Sequence, residues 1–225
     1  MKILIVAATQ QEIEPLFSVE SLKSQVESNS SNLDLQTTDL LITGVGMVAT
    51  AFSLGRHLAT NQYDLAINLG IAGSFDRSLD LGEVVEITSD TFSELGAEDG
   101  EKFLTIKDLC LGDHIYSAST TVSNLLSPIP PEENKLLVKQ VAGITVNCVH
   151  GNDISISKIK DRLRPQVESM EGAAFFYACK LAGLPCIQIR SVSNYVEKRN
   201  RDAWQIGLAV KNLNTFADAL LQKLS

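Results

Sequence analysis

The stretch Ser169-Met170-Glu171-Gly172-Ala173-Ala174-Phe175-Phe176 sets a carboxylate at the entry of a strongly apolar segment. The apolar run predicts a helix over 172–182, and residues 185–190 follow at once as a strand. A helix delivered straight into a short apolar strand is the repeating unit of an α/β sheet protein. The same alternation recurs towards the N-terminus. A strand over 2–8 precedes a helix over 10–17. A strand over 40–43 passes through Gly44-Val45-Gly46 into a helix over 48–59, and a strand over 65–69 ends in the turn Gly70-Ile71-Ala72-Gly73. Strands over 83–89 and 145–149 and a weak helical pattern over 158–163 complete the middle. At the other end, a helix over 202–224 sets Leu208, Leu213, Phe216, Leu220 and Leu224 roughly on one face. Residues 18–34 read as a polar surface excursion and residues 127–133, rich in Pro and Glu, as a loop.

This pattern predicts one domain over 1–225, a three-layer α/β/α fold around a mixed, mostly parallel central sheet. In such sheets ligands bind beyond the carboxyl ends of the strands. Residues 9–12, 44–46, 70–73 and 191–194 should therefore converge. Residues 93–112 and 117–133 are the candidates for a loop that closes the site.

Composition limits the partners. The chain has 225 residues, 44% hydrophobic and 20% charged, with a net charge of −8. An acidic chain lacks the basic stripe that a nucleic-acid groove needs, so a small molecule is the expected ligand. The first apolar run is too short to cross a membrane and has no cleavage site after it. The four cysteines, Cys110, Cys148, Cys179 and Cys186, show no paired spacing. They read as buried, reduced thiols of a cytoplasmic protein. Among the histidines, His57 falls in a helix and reads as structural, while His150, beside Gly151, adjoins the cleft. No metal-ligand spacing, dinucleotide fingerprint or nucleophile elbow is present, so no metal or cofactor is called for.

Four polar positions remain for chemistry, each with two readings. Glu12, like Glu14, complements the dipole at a helix start or serves as a working carboxylate. Glu171 needs hydrogen-bond partners if buried, from a sugar diol or from a backbone cap. Asn194 closes a strand as a turn residue or pairs donor and acceptor with a base edge. The cluster Lys198, Arg199 and Arg201 is a solvated loop or grips a carboxylate. Trp204 reads as packing for the last helix rather than as a stacking surface.

Taken in order, the opening strand with Glu12, Gly70-Ile71-Ala72-Gly73, Ser169-Met170-Glu171-Gly172-Ala173-Ala174 and Arg190-Ser191-Val192-Ser193-Asn194 resemble the nucleoside phosphorylase and nucleosidase superfamily over nearly the whole chain. More narrowly, Glu171-Gly172-Ala173-Ala174-Phe175-Phe176, Ser193-Asn194-Tyr195-Val196-Glu197 and Asn200-Arg201-Asp202-Ala203-Trp204 resemble its futalosine hydrolases. Those enzymes release hypoxanthine from futalosine in the alternative route to menaquinone.

The resemblance implies that Glu12 activates water, Glu171 binds ribose hydroxyls and Met170 packs on the sugar. It implies that Asn194 reads the purine and that Ala72 and Gly73 line the cleft. By position Ile154 is the candidate for stacking on the base, and Arg199 or Arg201 for the benzoate of futalosine. A homodimer or larger homo-oligomer is implied as well. Related methylthioadenosine/adenosylhomocysteine nucleosidases carry Asp where this chain has Asn194, which favours a 6-oxopurine here. Phosphorylases carry an Arg in the loop after the first strand. Ala8-Thr9-Gln10-Gln11-Glu12 has none, which favours water over phosphate. Ile71 replaces a common Ser or Thr and puts a side-chain contact there in doubt. The alternatives are a methylthioadenosine/adenosylhomocysteine nucleosidase, a phosphorylase, and a non-catalytic nucleoside-binding or storage protein. The last has no need of a water-activating carboxylate.

Overall fold

The computed structural model describes residues 1–17, 38–127 and 136–224. The excursion at 18–34 and most of the loop at 127–133 lie outside these residues.

In chain order the elements are β1 (Ile3–Ala7), α1 (Gln10–Phe17), β2 (Thr38–Ile42), α2 (Met47–Leu58), β3 (Leu65–Ser74) and β4 (Val84–Phe92). A hairpin, β5 (Gly96–Asp99) and β6 (Lys102–Thr105), precedes β7 (Ile115–Ser117) and the single turn α3 (Val122–Leu125). Then come β8 (Lys139–Thr145), α4 (Asp153–Leu163), β9 (Val167–Ser169), α5 (Gly172–Ala182), β10 (Cys186–Tyr195), a 3-10 turn Arg201–Ala203, and α6 (Ile206–Leu224).

Among the described residues, eight strands form the main sheet. The pairs β1–β2, β1–β3, β3–β10, β4–β8 and β8–β9 are parallel, and β4–β10, β3–β9 and β4–β7 antiparallel. Because β3 pairs with both β9 and β10, and β10 with β4, the strands β3-β10-β4-β8-β9 close into a ring. β1 and β2 extend from β3 as an open wing.

The continuous apolar run of β1 is explained by burial on both faces. Ile3, Ile5 and Ala7 pack with Ile13, Leu16, Leu213 and Phe216 of α1 and α6. Leu4 and Val6 face the other way, onto Leu54, Phe175 and Phe176 of α2 and α5. These are the outer layers of the expected sandwich. A third cluster, with Phe75, Ile144, Val146, Ile159 and Val196, sits under α4.

Several expectations need correction. Gly70-Ile71-Ala72-Gly73 is not a turn, since β3 runs straight through it to Ser74 while paired with β10. The strand expected at 145–149 ends at Thr145 and begins at Lys139, because its pairing with β4 lies upstream of the apolar residues that suggested it. The helix expected at 158–163 starts earlier, at Asp153, where the Asn152 side chain accepts from the Ile154 and Ser155 amides as a cap. The terminal helix is broken by the 3-10 turn, and its buried stripe is Ala209, Leu213, Phe216, Ala217 and Leu220. Leu208 is out of phase with that stripe and exposed. Cys179 and Cys186 are buried, but Cys110 and Cys148 are exposed. Among the described residues no helix is long and apolar enough to cross a membrane.

Candidate active site

The ends of β1, β3, β9 and β10 open onto one cleft of about 610 Å³. Glu12, Met170, Glu171, Asn194, Ala72 and Gly73 all line it.

Glu12 is held from both sides. Its Oε2 accepts the backbone N–H and the hydroxyl of Thr9, each at 3.0 Å. Its Oε1 accepts the Ile71 N–H at 3.2 Å. The carboxylate is therefore fixed against the strand passing beneath it rather than waving from a helix start, whereas Glu14 is exposed. Backbone support comes from the far end of the chain, where Asn214 Nδ2 donates to the Glu12 carbonyl at 2.8 Å.

Glu171 stands at the N-cap position of α5 without capping it. Its Oε1 instead accepts the Gly46 N–H at 2.9 Å. Gly44 and Gly46 have φ of 87° and 95°, a left-handed conformation that favours glycine and turns this amide towards the carboxylate. The side chain is buried, and burial pushes its carboxyl above the ordinary range. The nearby Glu12 charge adds to this, and the Arg190 charge and the Gly46 amide oppose it.

Arg190, which the motif reading passed over as part of a strand, is 1% exposed. Its Nη2 donates to Asn68 Oδ1 at 2.5 Å. A Cβ on Gly70 would lie 2.0 Å from Arg190 Nη1 and 3.0 Å from Glu12 Oε1, so the missing side chain at Gly70 is what lets the guanidinium lie under the cleft. A lone cation inside the apolar run 186–192 was the signal that could have marked it.

Asn194 follows a register shift between Val192 and Asn194, a bulge that re-aims the end of β10. Its Oδ1 accepts from Ser193 Oγ at 2.8 Å and its Nδ2 donates to the Tyr195 carbonyl at 3.0 Å. Nδ2 carries two hydrogens, so one donor is left over.

Of the remaining candidates, Arg199 and Trp204 line the cleft, with the guanidinium 5.0 Å from the indole centroid. Trp204 is thus a wall of the cleft as well as packing. Arg201, in the exposed 3-10 turn, and Ile154, 68% exposed on α4, lie outside the lining. The position given to Ile154 for stacking on the base thus lies on the exposed face of α4. The described parts of 93–112 and 117–133 do not line this cleft either, and Leu95, Ile106 and Leu111 line a separate apolar hollow with Val48 and Phe52. Two lining residues were not singled out from sequence for the base. Glu168 is buried, and His150 Nδ1 lies 2.6 Å from its Oε2.

The cleft thus brings together a supported carboxylate, Glu12, a buried carboxylate, Glu171, and an amide, Asn194. Such a set suits cleavage of a sugar–base bond, which leaves a cationic sugar and an electron-rich base.

Residues 2–224 match the Phosphorylase superfamily, and the chain belongs to it. It is 31% identical over 187 residues to a futalosine hydrolase of Streptomyces coelicolor, covering 78% of this chain and 74% of that one. A 5'-methylthioadenosine/S-adenosylhomocysteine nucleosidase of Buchnera aphidicola is 26% identical, over 99% of this chain and 90% of its own. In fold, the chain superposes on the nucleosidase of that name from Colwellia psychrerythraea, solved with adenine, at a TM-score of 0.74 and 21% identity, covering 100% of this chain and 96% of the other. Within the superfamily the protein is a nucleoside hydrolase, an enzyme that cleaves N-glycosidic bonds.

Proposed function

We propose that the protein hydrolyses futalosine, releasing hypoxanthine and dehypoxanthine futalosine in the alternative route to menaquinone. The observation that carries this reading is Asn194, an amide with a spare donor in the cleft that Glu12 and Glu171 also line. An amide donates to N7 or O6 of hypoxanthine but cannot protonate a 6-aminopurine as a carboxylic acid does. Futalosine hydrolases of Streptomyces, Acidothermus and Thermus, 28–31% identical, support the same choice.

In this mechanism water sits between Glu12 and the anomeric carbon, and Glu12 accepts its proton as the bond to the base breaks. A positioned general base contributes about 10²–10⁴-fold. Glu171 holds the 2′ and 3′ hydroxyls and sets negative charge near the developing cation. Met170 packs against the sugar. Ala72 and Gly73 form the wall along which the base lies, and Asn194 hydrogen-bonds the departing purine. Arg199, beside Trp204, meets the benzoate of futalosine. We assign no such role to Arg201 or Ile154. The exposed Val48, Phe52 and Leu111 form an apolar hollow that begins two residues after Gly46, and we propose that it is covered in a homodimer. A monomeric mass by light scattering would remove that proposal.

A substrate panel on two variants tests the reading. Asn194→Asp should shift preference from futalosine towards its 6-amino counterpart. Arg199→Glu should raise KM for futalosine but not for inosine. Unchanged base preference, or equal effects on both nucleosides, would count against the respective assignment.

A further inference from the structure

The wall that meets the base holds a second polar group besides Asn194. Gly73 of β3 pairs with Asn194 of β10 on one side and with Glu168 of β9 on the other. Neighbours across a sheet in register share a face. A Cβ added at Gly73 would lie 3.2 Å from Asn194 Nδ2 and 3.6 Å from Glu168 Cγ, so both side chains rise over the same glycine. Both line the cleft. Their backbones are two strand spacings apart, about 9–10 Å. That span lets two side chains reach the two ends of one purine edge.

Glu168 is 3% exposed, a costly place for a carboxylate without partners. The segment after β8 supplies them. The His150 N–H donates to Oε1 at 3.0 Å, and His150 Nδ1 lies 2.6 Å from Oε2. Facing a carboxylate, Nδ1 is the protonated ring nitrogen. Phe75 meets the His150 ring edge-on, with centroids 6.0 Å apart, and limits its rotation. Burial raises the Glu168 carboxyl above its ordinary range, while both His150 contacts favour the ionised form. A carboxylate has about four lone-pair sites, so two donors do not exhaust it.

We infer that Glu168, oriented by His150, is a specificity residue that accepts a hydrogen bond from N1–H of a 6-oxopurine while Asn194 donates to the O6/N7 end of the same edge. The inference rests on the proposed nucleosidase reading of this cleft and deepens it. A 6-oxopurine presents acceptors at N7 and O6 and a donor at N1, which matches the donor–acceptor order Asn194, Glu168. A 6-aminopurine presents a lone pair at N1, which would face the carboxylate and be repelled. Rejection by a buried, unpaired polar group is stronger than rejection by a lost apolar contact. Glu168 therefore adds a reading of N1 that Asn194, which meets the O6/N7 end, does not make.

The test uses the wild-type enzyme and two variants, Glu168→Gln and Glu168→Ala, with futalosine, its N1-methyl derivative and its 6-amino counterpart. Wild type should prefer futalosine over the N1-methyl derivative by about 10–100-fold in kcat/KM, the range for a hydrogen bond to a charged group. In Glu168→Ala, which frees space for the methyl group, that preference should fall to within about threefold. Glu168→Gln should narrow the gap between futalosine and the 6-amino compound. No wild-type discrimination against N1-methylation overturns the inference, and that arm needs no folded variant. Discrimination that persists undiminished in Glu168→Ala overturns it as well. Wild-type cleavage of the 6-amino compound but not of futalosine overturns the proposed function instead.

Discussion

At the scale of single residues, the carboxylates in and behind the cleft do different work. Glu12 and Glu171 face the cleft, but Asp90 lies wholly inside, behind the start of α5. Thr145 Oγ1 donates to Asp90 Oδ1 at 2.8 Å and accepts the Ala173 N–H at 2.7 Å. Gln188 Nε2 donates to Asp90 Oδ2 at 3.2 Å, and among the described residues Gln188 Oε1 has no partner. Burial raises the Asp90 carboxyl from 3.8 to about 6, against these hydrogen bonds. Between those values the folded protein keeps a proton that the unfolded chain has released. Stability therefore falls as pH rises from about 4 to 6 and stays lower above. Asp90→Asn removes this dependence and offers an N–H to Gln188 Oε1. Relative to wild type the variant should gain up to roughly 3 kcal/mol between pH 4 and pH 7, read from urea unfolding. A difference independent of pH would show that Asp90 ionises freely in the folded state.

At the scale of elements, β3 and β10 form the frame of the site, and glycine decides how closely their contents pack. Gly70→Ala would set a methyl against Arg190 Nη1, on a guanidinium that Asn68 holds through Nη2, and press on Glu12. Overpacking of this kind costs about 1–3 kcal/mol. The larger effect should be on activity, because displacing a catalytic group by about 1 Å can cost about 10²-fold. We expect kcat to fall at least tenfold while circular dichroism at assay temperature stays native. Retained kcat would mean that Arg190 and Glu12 move aside without consequence.

How much of this was legible in the sequence follows from which contacts are local. The helix at Gly172–Ala182 and the strand at Ile3–Ala7 are uniform apolar runs, and each reads as one element. The strand through Gly70–Gly73 was hidden because glycine signals a turn until the Arg190 side chain that needs the space is known. Glu12, Glu171 and Asn194 were legible by resemblance to a family motif. His150 was legible as a neighbour of the cleft, but Glu168 and its pairing with His150 were not, since their meaning depends on Gly73 pairing with strands from two distant parts of the chain.

At the scale of the whole molecule, the last helix holds the first. Asn214 of α6 donates to the Glu12 and Val210 carbonyls at 2.8 and 2.7 Å and accepts the Leu16 N–H at 3.1 Å. Leu213, Phe216 and Leu220 bury the same surface that receives Ile13 and Leu16. We propose that the chain therefore behaves as one domain over 1–225. Asn214→Leu removes these bonds inside a packed site and should cost about 1–3 kcal/mol. It should lower kcat as well, because α1 carries Glu12, and thermal unfolding should remain a single transition. Separate transitions for the two ends of the chain would contradict the one-domain proposal.

We propose that Glu12 turns water, not phosphate, onto the anomeric carbon of a 6-oxopurine nucleoside. The most direct measurement is chromatography of the products after incubation with futalosine in phosphate-free buffer, for wild type and Glu12→Gln. The expected result is stoichiometric hypoxanthine and dehypoxanthine futalosine from wild type, no gain on adding phosphate, and a loss of about 10²–10⁴-fold in Glu12→Gln. Hypoxanthine release that requires phosphate, or that persists at the wild-type rate in Glu12→Gln, would contradict it.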